Sequence, residues 1–479
     1  MSAPPPSLRR GFSWLLGGQV LVRVVVLAGV VVLSRLVGPA RLGDYAVATA
    51  LLSYAAVLGD AGLTTWAQRE IVRDPTPAAA SRVATATVVV QLACALLAAL
   101  LLLLVLAVLP VSTGALRLTV VALPLLAFQC LSLLHVIQSY ERMDALSALQ
   151  VLSQLVATVG GVALVAATGQ LVWMPVLAWT GVAAADVGAL LVVRRLGLHP
   201  VRVRRGDLTT TVRGGTEYLL SGMVVQILVN LDVVVVGIVA GARAAGLYGA
   251  AYRVSYAVLL LAGVVVTAVF PRLVRTWDAD RDAFGGVARQ LVLLSARLTL
   301  PLTAVVVVVA PELVVLVYGR PYAAAGAVLQ VLFVWVPLGW LNTMAGQALL
   351  AAGFARAYLT VAAVSAASAI LLLTVLVPAA GPRGAGVAVA LTEVVTTIGF
   401  AVAGRTRTRV PLVGTFARQG AYLVLPLAVS LLARAVAPHQ VLLLAPGLTL
   451  IALLAFERLR HDWTLRVLVG ARRGATDAG

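Results

Sequence analysis

Three arginines, Arg23, Arg253 and Arg297, stand inside long apolar runs of the sequence. An Arg at the centre of a bilayer costs at least ~2.5–3.5 kcal/mol on insertion scales, so it faces protein interior or a wet cavity. Its planar guanidinium binds two phosphate oxygens at once and keeps its charge at any physiological pH. The chemistry such residues suit is capture of a phosphate or pyrophosphate rather than bond making. Depth separates the three. Arg23 lies about 11 residues into its run, roughly 16 Å along a helix and near mid-membrane, where snorkelling offers little rescue. Arg253 and Arg297 lie about 7 residues in, roughly 11 Å, and a long side chain there also reaches the interface.

Polar side chains recur beside these arginines at helical spacing. Gln19, Arg23 and Ser34 share one stripe, and Gly249, Arg253 and Tyr256 another. Gln226 and Asn230 are four apart; Gln129, Ser132 and Ser139 line a further run, as do Ser147, Gln150 and Gln154. Two readings stand side by side: the wall of a hydrated cavity, or polar glue between helices. On the first, Gln19, Gln226, Asn230, Tyr248, Tyr252, Asn342 and Gln347 would offer amides and hydroxyls to a polar cargo. The acids in or near apolar runs are Asp44, Asp60, Asp186, Glu217, Asp232 and Glu393. Asp44 and Asp60 sit near the ends of one run, where capping or pairing with Arg35, Arg41 or Arg69 is expected. Asp232 lies deeper and is the candidate counter-charge to a cavity Arg, or else the residue that couples transport to an ion or proton.

The elements that must hold these residues are membrane helices. The 479-residue chain is 61% hydrophobic with mean hydropathy +1.03, far above the roughly 45–50% apolar share of soluble domains. Runs of about 20 apolar residues recur to the end, each long enough to span roughly 30 Å of hydrocarbon. The pattern predicts fourteen spans, at 12–36, 44–62, 84–110, 118–140, 145–167, 171–193, 217–240, 246–270, 290–317, 325–352, 357–378, 384–403, 416–436 and 440–457. The short alternating segments of a barrel are absent. The first run is too long for a cleaved signal and is expected to persist.

All 36 basic residues are Arg, and their positions carry more information than the net charge of +18. With a cytoplasmic N-terminus, 26 fall on the cytoplasmic side, only 7 outside, and Arg23, Arg253 and Arg297 within spans. That asymmetry places both ends in the cytoplasm. Arginines scattered over short loops do not make a nucleic-acid surface. Without lysine there is no GxxxxGK[ST] phosphate loop and no Schiff-base chemistry. No loop is large enough for a catalytic domain, so no enzyme activity is expected. Energy must come from an ion gradient, the membrane potential or the substrate's own gradient. The two cysteines, Cys94 and Cys130, lie inside expected spans as free thiols, and the four histidines form no metal cluster. No cofactor is expected.

An internal echo organises the chain. Gly43-Asp44-Tyr45 aligns with Gly246-Leu247-Tyr248, and Ser53-Tyr54-Ala55 with Ser255-Tyr256-Ala257, at an offset of about 203 residues. Each phrase opens the second helix of a six-span block. The expected domains are a six-helix lobe at 1–193, a basic cytoplasmic linker at 194–216, a second six-helix lobe at 217–403, and two extra helices with a basic tail at 404–479. Parallel repeats with a site at their interface are a transporter architecture.

The runs LSRLVGPARLGDYAVATALLSYAAVLGDAGLTTWAQREI (33–71), LDVVVVGIVAGARAAGLYGAAYRVSYAVLLLAGVVVTAVFPRL (231–273) and PELVVLVYGRPYAAAGAVLQVL (311–332) resemble bacterial polysaccharide flippases of the multidrug/oligosaccharidyl-lipid/polysaccharide exporter superfamily. The resemblance covers nearly the whole chain. It implies an all-α membrane protein with two pseudo-symmetric lobes around a central cavity that opens alternately to each side. The implied cargo is an undecaprenyl-pyrophosphate-linked oligosaccharide moved outward across the cell membrane. Expected partners are that substrate, membrane lipids and a polysaccharide polymerase or glycosyltransferases, with a monomeric chain. A cation-coupled multidrug exporter, a flippase for the lipid precursor of peptidoglycan, and a non-transporting scaffold or polymerase subunit are the rivals. A positive cavity argues against drug cations.

Overall fold

The architecture was taken from a computed structural model that describes residues 8–460 apart from positions 409 and 411. The basic tail beyond Arg460, residues 1–7 and the side chain of Glu217 lie outside the described residues. In chain order the helices are α1 (Leu8–Asp60), α2 (Leu63–Arg73), α3 (Pro77–Val108), α4 (Thr113–Ala122), α5 (Pro124–Leu131), α6 (Leu134–Ser139), α7 (Met143–Leu155), α8 (Gly161–Thr168), α9 (Trp173–Arg195) and α10 (Arg205–Val239). They continue as α11 (Gly241–Ala279), α12 (Arg281–Tyr318), α13 (Ala325–Ala351), α14 (Ala355–Ala403), α15 (Leu412–Ala417), α16 (Ala421–Val436) and α17 (Val441–Arg460). No strand occurs among the described residues.

Among the described residues, eleven helices are long and apolar enough to cross a membrane. Two of these are double. At 1.5 Å per residue the 53 residues of α1 would run roughly 80 Å, far beyond one crossing. Gly38 breaks it at φ 73°, ψ 171°, followed by Pro39, and Gly381 breaks the 49-residue α14 in the same way. Counting both halves of each, and adding the 35-residue α10, accounts for the fourteen spans expected from hydropathy. The chain is a multi-pass, all-helical membrane protein. Pro301 and Pro337 lie inside α12 and α13, whereas Pro124 starts α5 and Pro175 sits in the first turn of α9.

Burial is inverted relative to a soluble helix. On α3, Leu96, Leu100, Leu104 and Val108 point outward as a lipid-facing stripe, while Ala95, Ala98 and Leu102 are buried. Small residues face neighbouring helices because close backbone approach supplies packing where lipid removes the hydrophobic driving force. Between α2 and α3, Asp74 accepts from the Thr76 hydroxyl at 2.7 Å and the Thr76 N–H at 3.2 Å, and these bonds hold its carboxyl below the usual aspartate value.

The chain divides into two compact units. The first comprises Met1–Ala250, Val317–Tyr322 and Ser365–Val389. It is built around a cluster including Ile71, Val136, Ile137, Leu146 and Val193. Within it, the two echoing phrases meet. A Cβ on Gly43 would strike the Ala242 carbonyl oxygen, and one on Gly246 would strike that of Pro39. The repeat offset of 203 residues carries Gly43 onto Gly246 and Pro39 onto Ala242, so the contact is reciprocal about a local pseudo-twofold axis. Asp44, beside this contact, accepts from the Ser112 hydroxyl at 2.5 Å, ahead of α4.

The second unit comprises Ala251–Leu316, Ala323–Val364 and Ala390–Gly479. Here α16 and α17 dock on α12 through Val305, Val308, Val309, Ala433, Val441 and Ala445. Arg434 of α16 donates to the Val308 carbonyl of α12 and reaches Glu312 at 3.1 Å, while the Val307 carbonyl, which loses its helical donor to Pro311, accepts from Gln330 at 2.9 Å.

Candidate functional site

Six of the residues singled out by sequence lie in the first unit: Gln19, Arg23, Gln226, Asn230, Asp232 and Tyr248. Arg23 is exposed on α1 and has no hydrogen-bond or ion-pair partner among the described residues. One turn earlier, Gln19 donates to Gln150 of α7 at 3.1 Å, and Gly18 packs on Ser147. Two of the polar stripes therefore bind each other, which is the glue reading for that pair. Gln226 donates to Ser53, while Asn230, one turn on, is half-buried with no partner among the described residues.

Asp232 is 4% exposed, and its two oxygens are spoken for separately. Tyr248 donates to Oδ2 at 2.5 Å and the Val233 N–H to Oδ1 at 2.7 Å. The structure thus joins two sequence candidates, and fully buried Tyr248 spends its hydroxyl on Asp232. No Arg pairs with Asp232 among the described residues.

Five candidates lie in the second unit: Tyr252, Arg253, Arg297, Asn342 and Gln347. Arg253 Nη1 is shut off from solvent and has no acceptor among the described residues. Tyr252 stacks on Tyr256 with centroids 5.6 Å apart and on Trp335 of α13 at 6.5 Å. A shielded guanidinium N–H without an acceptor carries a desolvation cost that an anionic oxygen removes. Arg297 is placed differently: its guanidinium lies 5.5 Å from the ring centre of Tyr422 on α16, in a cation–π contact that belongs to the docking of the C-terminal helices.

Asn342 is buried and committed to protein. It donates to the Glu393 carboxylate at 2.6 Å and the Glu393 carbonyl at 3.0 Å, and it accepts from Thr397 at 2.9 Å. Gln347, just over a turn along α13, is half-buried with no partner among the described residues. Sequence reading missed the Asn342–Glu393–Thr397 network because no local spacing links α13 to α14. It also missed Trp335, which reads as one more apolar position, and the Asp60–Gln91 bond at 2.8 Å. A lone Gln in an otherwise apolar run was the available signal for Gln91.

Residues 8–277 match the family model described as polysaccharide biosynthesis protein. The chain belongs to that family. Its fold is that of the MOP-superfamily transporters. A lipid II flippase MurJ in an inward closed conformation superposes with a TM-score of 0.77 at 14% identity, covering 94% of this chain and 99% of that one. An inward-facing multidrug resistance MATE transporter gives 0.66 at 15% identity, over 82% and 96%. A MOP-superfamily transporter from Pyrococcus furiosus gives 0.58 at 15%, over 83% and 94%. No curated protein matches the sequence. The chain is thus a member of the polysaccharide biosynthesis family with the fold of these transporters.

Proposed function

We propose that the protein moves an undecaprenyl-pyrophosphate-linked oligosaccharide, a repeat unit of cell-surface polysaccharide, from the inner to the outer leaflet of a bacterial cell membrane. It works by alternating access of two six-helix lobes, 1–193 and 217–403, joined by the basic 194–216 segment and followed by two extra helices and a basic tail at 404–479. Both termini are cytoplasmic, the chain acts as a monomer, and no covalent chemistry occurs. The observation that carries this reading is Arg253 Nη1, shielded and without an acceptor, in a member of the polysaccharide biosynthesis family.

Arg253 and Arg23 take the pyrophosphate, since both are free of carboxylate partners among the described residues and a guanidinium matches its oxygens bidentately. Arg297 contributes charge from its seat on Tyr422. Tyr252 offers an aromatic face to the cargo, and Asn230 and Gln347 offer amides. Gln19, Gln226, Tyr248 and Asn342 act on the cargo only by giving up protein hydrogen bonds, so they rank below the others. Asp232 is the ion-coupling candidate of the central helices. A polymerase or glycosyltransferase supplies or consumes the cargo.

The similarity to a lipid II flippase supports a second cargo with the same anchor chemistry, the lipid-linked precursor of peptidoglycan. Proteoliposomes carrying either lipid decide the matter. Arg253→Ala is expected to cut the initial flipping rate at least about tenfold, as loss of a charge-assisted contact of 1.5–3 kcal/mol implies, with Arg253→Lys recovering part of it. Normal flipping by the Arg253→Ala and Arg23→Ala variants would remove the basis for this site, and export of organic cations in its place would favour a drug exporter.

A further inference from the structure

A polar cavity lies in the first unit, and none of the residues assigned to the cargo lines it. It measures about 230 Å³, and its polar lining is Asp60, Thr64, Gln91, Gln129 and Cys130, drawn from α1, α2, α3 and α5. Backbone geometry builds it. Ala61 and Gly62 both have positive φ, 50° and 72°, so the chain turns sharply out of α1 and sets Asp60 over the start of α2. Gly59 packs on Ala95, with 3.3 Å between the place of its Cβ and the Ala95 Cα. That approach brings Asp60 to Gln91, one turn before Ala95 on α3.

Three hydrogen bonds reach Asp60: from the Thr64 hydroxyl, the Thr64 N–H at 3.3 Å and Gln91 Nε2 at 2.8 Å. All end on Oδ1, and Oδ2 takes none of them. The donors are neutral, and no Arg pairs with Asp60 among the described residues. Gln129 lines the same space with a side chain that bonds to no protein group among them. A carboxylate at the end of a membrane helix, satisfied on one oxygen by neutral groups only, calls for a positive partner.

The available ligands are hard oxygens: the Asp60 carboxylate, the Thr64 hydroxyl and the amide oxygen of Gln129, while Gln91 turns its Nε2 to Asp60 and Thr64 and holds both in place. Such donors select hard cations over transition metals. One carboxylate balances one positive charge, whereas a divalent ion would leave a charge uncompensated in a low-dielectric site. At roughly 30 Å³ per water, the space takes an ion with part of its hydration shell. Asp232 offers no comparable room, since both of its oxygens are already bonded.

We propose that this cavity is a binding site for a partly hydrated monovalent alkali cation, held by Asp60, with Thr64, Gln129 and water completing its oxygen shell and Gln91 positioning the carboxylate. A transporter without a nucleotide-binding loop needs a gradient to act on, and this site gives an ion a seat outside the path of the cargo. The inference rests on the first unit's geometry alone and stands independently of the cargo reading.

Equilibrium binding of radioactive sodium and rubidium to the purified full chain, in N-methylglucamine buffer, tests it without reading transport. The expected result is saturable binding of at least one of the two ions, lost in Asp60→Asn and weakened about tenfold or more in Gln129→Leu, as for other ligand-shell changes. Asp74→Asn, in an exposed loop, leaves binding unchanged. Saturable binding of neither ion, or wild-type binding by both cavity variants, overturns the site. Should Asp60→Asn fail to fold, Gln129→Leu still decides, because that side chain holds no protein hydrogen bond. A failed binding assay leaves the flipping experiment untouched, and the converse also holds.

Discussion

Asn342 and Arg253 sit on adjacent helices of the same unit and meet opposite fates, and the difference is partner supply. Asn342 donates to the Glu393 carboxylate and carbonyl and accepts from the Thr397 hydroxyl, so its amide acts as structure. Replacing it by Leu strips the buried Glu393 carboxylate of its side-chain donor, an uncompensated loss of about 1–3 kcal/mol. Asn342→Leu is therefore expected to lower the midpoint of thermal unfolding in detergent, whereas Gln347→Leu, with no bond to lose among the described residues, leaves it near wild type. Tyr248→Phe behaves like Asn342→Leu, since it takes the Oδ2 donor from Asp232. A flipping defect in these two variants tracks loss of folded protein; one in Arg253→Ala does not. Equal midpoints for Asn342→Leu and wild type would contradict the network's structural role.

At the scale of elements, the reciprocal approach of Gly43 to Ala242 and Gly246 to Pro39 is the tightest constraint on how helix starts meet. Neither glycine has a positive φ here; each is needed because a carbonyl oxygen occupies the space of a Cβ. Backbone cannot swing aside as a side chain does, so Gly43→Val and Gly246→Val are each expected to cost at least the ~1–3 kcal/mol typical of overpacking. Unfolding midpoints should fall in both variants by similar amounts, as the shared 203-residue offset requires. A drop in one with none in the other would show that the pseudo-symmetry is not mechanical. The broken helices belong to the same scale. Gly38-Pro39 and Gly381-Pro382 end one apolar run and begin another without a loop, so segments of 53 and 49 residues each supply two crossings.

For the whole molecule, the testable quantity is orientation. On the orientation proposed from the arginine asymmetry, the 194–216 stretch is cytoplasmic and the α3–α4 connection lies outside. Val111→Cys should react with a membrane-impermeant maleimide on intact cells. Thr209→Cys should react only after permeabilisation. Cys94 is half-buried and Cys130 buried, so background labelling of the native thiols is low. The reverse pattern would invert the topology and, with it, the direction assigned to transport.

Composition and periodicity determined the solvent, the helical class and the number of crossings, because a span must supply some 20 apolar residues whatever packs around it. Arginine placement and the repeated G-x-Y phrase carried the expected orientation and the resemblance to polysaccharide flippases. Side-chain partnerships were decided only by tertiary structure. Gln19 and Gln150, Asp232 and Tyr248, Asn342 and Glu393, and Asp60 and Gln91 are separated by 16 to 131 residues. Within lipid a polar stripe looks the same in sequence whether it faces water or another polar stripe. Which neighbour a helix turns toward depends on close backbone contacts, such as those at Gly18, Gly43 and Gly59, and these exist only once the chain has folded.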